Sequence, residues 1–134
     1  SSTHREILDT YFDDEDVNPK KVVENILGSI RRIEKQIVIR RVSTRFGYIK
    51  MYFEEIGAEL GIHRTTASEN FKRAYGNIKH PVRSRYLEEM ITHAKNASSV
   101  TSLDEVVVKE YLLEKYSFEF NLTFLLGITD FTLR

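Results

Sequence analysis

Six polar or charged side chains in one short stretch have the clearest capacity for chemistry: Arg64, Thr65, Ser68, Glu69, Lys72 and Arg73. Over the same stretch, apolar residues recur at intervals of four, three and four, which predicts a helix with one buried face. These apolar residues are Ala67, Phe71, Ala74 and Ile78. The polar side chains lie mostly off that face. A polar, exposed helix that is positioned by a second helix is what a helix-turn-helix places in the major groove of DNA.

The residues before this helix have the pattern of a second helix that ends in a tight turn. Ile56 and Leu60 are four apart in the sequence, so they share one helix face. Gly57 is small enough to let another helix cross closely. Gly61 can adopt the left-handed conformation that ends a helix, which predicts a turn at residues 61–63.

The charges of the chain are segregated although its net charge is zero. Residues 28–86 contain 13 basic and 5 acidic residues, a net charge of +8. Residues 1–27 contain 3 basic and 7 acidic residues and residues 87–134 contain 4 and 8, so each end carries −4. The basic excess coincides with the helix-turn-helix pattern, and such a patch attracts phosphates in a salt-dependent way. Two alternatives stay open: a basic surface helix without a partner, and acidic ends that fold back onto the basic centre.

Length and composition fit one ordinary domain. The 134 residues are 41% hydrophobic, which is enough for a core, and the absence of cysteine excludes disulfides and thiolate metal sites. No apolar run approaches the roughly 20 residues of a membrane span, and the polar start lacks the pattern of a secretory signal. We therefore predict a cytoplasmic protein with no membrane partner, which DNA binding would associate with the nucleoid.

Catalysis has little support in the sequence. There is no glycine-rich phosphate loop, and Ser68 lacks a histidine partner for nucleophilic work. The four histidines are scattered, and no two of them share metal-ligand spacing with a nearby acid. The acidic run at residues 13–16 is better explained as a solvated loop than as a cation site. We predict no catalytic residue, no metal site and no cofactor.

Three segments are predicted along the chain. Residues 1–28 form an acidic N-terminal helical segment, residues 29–95 the helix-turn-helix domain, and residues 96–134 a C-terminal helix with an apolar tail. Within these segments, residues 43–50 and 96–102 are predicted to be loops.

Three helix starts are predicted from capping residues, at Asn18, Ser29 and Ser102. Pro19 suits the first helical position after Asn18. Glu105 lies three residues after Ser102, as a capping box requires.

The C-terminal tail has a different period. Phe118, Phe120, Leu122 and Phe124 alternate with polar residues, which is typical of a strand. Because Gly127 can turn the chain back, the predicted fold is mostly all-α with a short C-terminal extension that forms a β-hairpin or strand. A continued helix is the alternative. The tail is too apolar to be exposed, so it packs on its own domain, on a partner protein or on a second copy.

Several pieces of sequence between residues 30 and 90 occur in the order found in one known module. Residues 53–62 read Phe-Glu-Glu-Ile-Gly-Ala-Glu-Leu-Gly-Ile, close to Leu-Glu-Glu-Ile-Gly-x-x-Leu-Gly-Val in that family. Residues 72–81 end in Lys-His-Pro and residues 82–87 read Val-Arg-Ser-Arg-Tyr-Leu, again in the family manner. The stretch resembles the fourth conserved region of bacterial sigma factors, which reads the −35 element of promoters.

The resemblance implies two partners and a set of site residues. The second helix would dock in double-stranded promoter DNA, and an apolar groove between helices would bind the flap of the RNA polymerase β subunit. By position, the residues facing base edges would be Arg64, Thr65, Ser68 and Glu69. The phosphate-contacting residues would be Tyr52 and Arg73 by position, and Lys50, Lys72, Lys79 and Arg83 by charge.

The base-facing positions depart from the family pattern. Thr65 and Thr66 stand where the family usually has Glu and Arg, Ser68 where it has Arg, and Glu69 where it has Gln. Asn70 occupies a position that is usually apolar. A standard −35 sequence is therefore not the expected target.

Two further hypotheses belong to other classes of function. One is a sigma mimic or co-factor that binds RNA polymerase but reads little DNA. The other is a helix-turn-helix regulator that binds operators as a homodimer through its tail, independently of polymerase.

Overall fold

The computed structural model describes residues 2–128 and Leu133, and these residues form a mostly helical fold. Within this part of the chain there are eight helices: α1 (Ser2–Tyr11), α2 (Pro19–Ser29), α3 (Arg32–Arg41), α4 (Phe53–Leu60), α5 (Arg64–Lys79), α6 (Pro81–Lys95), α7 (Ala97–Thr101) and α8 (Glu105–Leu125). The β structure described is one isolated antiparallel bridge between Val42 and Ile49. None of the described helices has both the length and the apolar composition needed to cross a bilayer. The all-α prediction is confirmed.

Two groups of buried side chains hold the helices together. The larger includes Phe12 of α1, Ile26 of α2, Leu87 of α6 and Phe120 of α8. Residues of all three predicted segments thus contribute to one core. The smaller group joins α3, α4 and α5 through Ile37, Ile56 and Ala67, each fully buried.

Several predicted helix ends are confirmed by their hydrogen bonds. The Asn18 side chain accepts a hydrogen bond from the Lys21 backbone N–H at 3.2 Å, and Pro19 follows it at the first helical position. Gly61 ends α4 with φ at +69°, in the left-handed region. His80 closes α5, and its ring nitrogen accepts from the Val82 N–H at 3.2 Å to start α6.

The prediction of Ser29 as a helix cap is wrong, because Ser29 ends α2. Its hydroxyl donates to the Ile26 carbonyl at 2.7 Å and accepts from the Arg83 side chain. The cap position of α3 is Arg31, whose backbone N–H is satisfied by the Glu34 carboxylate at 3.4 Å.

The prediction of Ser102 as a cap is also wrong by two residues. Asp104 caps α8 by accepting a hydrogen bond from the Val106 N–H at 2.8 Å. Ser102 instead adopts a left-handed conformation with φ at +59°. The predicted loop at residues 96–102 contains the short helix α7, whose Ala97 is buried.

The predicted strand at the C-terminus is wrong, since α8 continues to Leu125. Four consecutive residues, 120–123, are buried. Residues 116–126 are all buried or half-buried, including the polar Glu119, Asn121 and Thr123, so this part of α8 shows no apolar face with a helical period, and its alternation of apolar and polar residues resembles a strand. The helix also kinks at Tyr116, where φ is −131°. The second arm of the predicted hairpin falls mostly outside the described residues.

The acidic N-terminal helix α1 lies against α7 and α8. The Asp9 carboxylate accepts hydrogen bonds from the Lys115 ammonium at 2.8 Å and the Tyr111 hydroxyl at 2.6 Å. The hydrogen bond from Lys115 has the largest effect and that from Tyr111 the next, and together they hold the pKa of Asp9 below its ordinary value of 3.8. Burial raises the pKa of Tyr111, so its hydroxyl stays a donor. The ends of the chain therefore bind each other.

We expect Asp9→Asn to lower the free energy of unfolding near neutral pH. As the pH falls, the free energy of unfolding should decrease less in this variant than in the wild type. Because the folded-state pKa of Asp9 is lowered, its contribution is present above pH 3.8 and is lost as the pH falls through the lower folded value. Urea unfolding of both proteins between pH 7 and pH 2 measures the difference. A gap that stays constant through this range would contradict the assignment.

Gly76 lies in the interior of α5, and a Cβ atom added there would meet nothing within 4 Å. We expect Gly76→Ala to stabilise the protein by about 0.5–1 kcal/mol, because glycine is the poorer helix former. Chemical denaturation measures the change. Destabilisation would show that α5 is not a regular helix at this position.

Candidate nucleic-acid interface

The three-residue turn between α4 and α5 is held by Gly57. The Gly57 carbonyl accepts hydrogen bonds from the N–H groups of Gly61 and, at 2.9 Å, of Ile62. A Cβ atom on Gly57 would lie 2.5 Å from the Ile62 carbonyl oxygen. Only a residue without a side chain allows this approach, so Gly57 fixes how the chain enters α5.

The first residues of α5 are open to solvent. His63 caps the helix by accepting a hydrogen bond from the Thr65 N–H at 3.1 Å. Of the four predicted base-facing residues, Arg64, Thr65 and Glu69 are exposed and Ser68 is half-buried. The structure therefore brings these residues together on one end of one helix.

The inward face of α5 follows the predicted spacing. Ala67, Ala74 and Ile78 are buried, and Phe71 is half-buried against Phe53 with ring centroids 5.6 Å apart. Asn70 is also buried, which the spacing did not predict. Its amide donates to the Thr66 carbonyl at 2.9 Å, but its side-chain oxygen has no hydrogen-bond partner. Such an unsatisfied atom costs about 1–3 kcal/mol.

Three of the predicted phosphate-contacting cations and the predicted base-facing Arg64 face solvent without an ion-pair partner among the described residues. Lys50, Arg64, Lys72 and Arg73 are exposed, and none forms an ion pair with a described carboxylate. Tyr52, at the start of α4, is 68% exposed. Cations that form no direct ion pair can attract a polyanion.

Lys79 and Arg83 differ from these four. The Lys79 ammonium lies 4.8 Å from the centre of the Tyr75 ring and remains exposed. The Arg83 guanidinium donates to the Ser29 hydroxyl at 2.8 Å, the Ser29 carbonyl at 3.1 Å and the Asn77 carbonyl at 3.2 Å. Arg83 therefore connects the C-terminal ends of α2 and α5, a structural role that its charge did not predict.

Two internal contacts of the site had no signal in the sequence. Glu34 is 1% exposed, and its carboxylate accepts a hydrogen bond from the Asn77 amide at 3.1 Å, which links α3 to α5. The Arg41 guanidinium lies 4.0 Å from the centre of the Phe53 ring and donates to the Met51 carbonyl. Burial lowers the pKa of Arg41 from its ordinary value. Both contacts join residues distant in sequence, which spacing cannot reveal.

A groove of about 420 Å³ lies between α2 and α6. Its apolar lining comes from Val22, Ile26, Val82 and Tyr86, and Glu15 and Asp16 also line it. Val82 is 50% and Tyr86 42% exposed, so two large apolar side chains face solvent here. No group of three or more possible metal ligands occurs within the described part of the chain.

Comparison with known proteins gives no identification: no protein-family model, curated protein or solved structure matches this chain. The evidence for a candidate nucleic-acid interface is therefore its geometry: a polar helix begins at an exposed turn, and cations without an ion-pair partner lie around it.

We expect Gly57→Ala to destabilise the protein by about 1–3 kcal/mol, because the new methyl group forces the turn away from α4. Gly76→Ala is the matched control, since the same substitution in an open position should stabilise. Urea unfolding of the two variants compares them. Equal effects would show that the close approach at the turn is not a constraint.

Proposed function

We propose that this chain is a DNA-binding transcription factor that resembles the fourth conserved region of sigma factors. In this proposal α4, the turn and α5 act as a helix-turn-helix that binds promoter DNA and acts with RNA polymerase to control transcription initiation. The observation that carries the proposal is the exposed start of α5, with unpaired cations around it and the acidic ends bound elsewhere.

The size of α5 is suited to a major groove. Its 16 residues span about 24 Å, while the groove is about 12 Å wide. Because the N-terminal residues of the second helix contact base edges in a bound helix-turn-helix, the N-terminal half of α5 enters the groove in this proposal and the C-terminal half extends past the backbone. This assigns Arg64, Thr65, Ser68 and Glu69 to base edges and leaves Lys72, Arg73 and Lys79 for phosphates.

Arg64 and Glu69 give the proposed reading its strongest specificity. An arginine donates a pair of hydrogen bonds to the acceptors of guanine, and a glutamate accepts from the amino group of cytosine. Thr65 and Ser68 can donate to or accept from either base. Because these residues differ from those usual in the sigma family, the expected target differs from the standard −35 sequence.

The groove between α2 and α6 supports a protein partner as well. The resemblance implies contact with the flap of the RNA polymerase β subunit through a groove between helices of residues 30–90, whereas this groove includes α2, which precedes that stretch, and polar residues such as Glu15 and Asp16. The exposed Val82 and Tyr86 of α6 are the part of it that such a contact would cover. A polymerase-bound sigma mimic is therefore the second candidate function. The dimeric operator-binding hypothesis has less support, because Leu122, Leu126 and Leu133 of the tail are buried in the chain's own core.

We expect Arg64→Ala and Arg73→Ala to weaken DNA binding in different ways. Loss of a base contact at Arg64 should cost about 1–3 kcal/mol on the preferred sequence and relax the preference at one position. Loss of a phosphate contact at Arg73 should weaken binding to all sequences equally. Selection from random duplexes at two salt concentrations, followed by titration of the selected site, measures both effects.

Arg5→Ala is the charge-matched control, since Arg5 lies on α1 and is paired with Glu114 at 2.9 Å. A pull-down with RNA polymerase separates the two candidate functions. Binding to polymerase without any duplex binding in dilute salt would favour the mimic and reject the DNA reader. Absence of both would reject the proposed function entirely.

A further inference from the structure

We propose that the loop at residues 43–50 is a second phosphate-binding element of the duplex interface, with Arg45 and Tyr48 as its contacts and Asn121 of α8 as its positioning residue. This inference rests on the proposed function, because it extends the same DNA-facing surface. The ligand is the sugar–phosphate backbone of a DNA duplex, bound without regard to sequence.

The loop is held from the inside by one buried side chain. Asn121 is 0% exposed, and its amide nitrogen donates to the carbonyls of Ser43 and Tyr48, both at 2.9 Å. Its oxygen accepts from the Gly47 N–H at 2.9 Å. All of these bonds go to the loop backbone, so a buried amide far along the chain fixes the loop's shape.

Other contacts hold the same loop to α8. The Ser117 hydroxyl donates to the Thr44 carbonyl. Phe46 is buried and packs against Phe124, with ring centroids 5.1 Å apart. Gly47 has φ at +89°, which the sharp reversal of the loop requires.

Phe46 and the backbone of the loop face the protein interior, while the side chains of Arg45, Tyr48 and Lys50 face solvent. Arg45 and Lys50 are exposed, and Tyr48 is 50% exposed. The Arg45 guanidinium lies 4.1 Å from the centre of the Tyr48 ring, and Arg45 forms no ion pair with a described carboxylate. An arginine stacked on an aromatic ring loses less conformational freedom on binding and keeps its N–H donors available.

The loop also lies next to the helix that must approach the DNA backbone. The Lys50 N–H donates to the Arg41 carbonyl at 2.8 Å, and Tyr52 is the cap position of α4. The first helix of a bound helix-turn-helix crosses the backbone, where its N-terminus contacts phosphates. No acidic residue occurs from 42 to 53. Arg45, Tyr48 and Lys50 therefore extend the phosphate-facing surface beyond Tyr52.

The test uses the full chain and a random-sequence 30-base-pair duplex, because non-specific binding depends almost entirely on phosphate contacts. Fluorescence anisotropy over a series of salt concentrations gives the affinity and its salt slope. We expect Arg45→Ala to reduce the slope by about 0.9 and the affinity in dilute salt by about tenfold. Arg5→Ala, with the same change of charge, should leave the slope unchanged, and Tyr48→Phe should weaken binding less than Arg45→Ala does.

Asn121→Ala tests the positioning role. In a folded Asn121→Ala protein the loop is no longer held, so its affinity for DNA should be lower. Adding Arg45→Ala to this variant should then reduce the affinity by a smaller factor than it does in the wild type. A purely structural role would leave the cost of Arg45→Ala the same in both backgrounds. If Asn121→Ala does not fold, Ser117→Ala, which removes a single bond to the loop, takes its place in the same comparison.

The outcomes distinguish this inference from the proposed function. Wild-type affinity and slope for Arg45→Ala, together with weakened binding for Arg73→Ala, would overturn the loop's role and leave α5 as the DNA-binding helix. Wild-type behaviour of Arg45→Ala, Arg64→Ala and Arg73→Ala alike would overturn the proposed function itself.

Discussion

The contact between Gly57 of α4 and the Ile62 carbonyl is the constraint on which the site depends. It brings the turn against α4, and the buried group formed by Ile37, Ile56 and Ala67 then fixes α5 on α3 and α4. With that face of α5 buried, Arg64, Thr65 and Glu69 face solvent. A single side chain at Gly57 would change the direction in which α5 leaves the turn.

The segregation of charge has a structural counterpart. Two carboxylates of the acidic ends are paired within those ends, Asp9 with Lys115 and Glu114 with Arg5. Helices α1 and α8 pack on each other and on α7, and α8 also packs on α2. In the basic centre Arg40 pairs with Glu59 at 3.2 Å, while Lys50, Arg64, Lys72 and Arg73 form no ion pair with a described carboxylate. A chain with no net charge can thus present a positive surface, because the opposite charges are not mixed over the same face.

The sequence predicted local structure well where a cap or a periodic face determined it. The start of α2 was predicted from Asn18, and the turn from Gly61. The helix α5 was predicted from the spacing of apolar residues between Ala67 and Ile78. The prediction failed in the C-terminal part of α8, because none of residues 116–126 is exposed, polar ones included, and the sequence therefore shows no separate apolar face there. Contacts between residues far apart in the chain, such as Glu34 with Asn77 and Asn121 with the 43–50 loop, leave no pattern in a single sequence. The exposed residues of the candidate site could therefore be predicted, but the buried contacts that position them could not.

The most direct measurement is a titration of the ¹⁵N-labelled protein with a DNA duplex, followed by NMR. We expect the largest amide shifts to cluster in residues 43–52 and in the first half of α5, while the amides of α1 and of the middle of α8 stay unchanged. Shifts concentrated on α1 and α7, or no shifts even in dilute salt, would contradict the claim that the start of α5 faces a duplex.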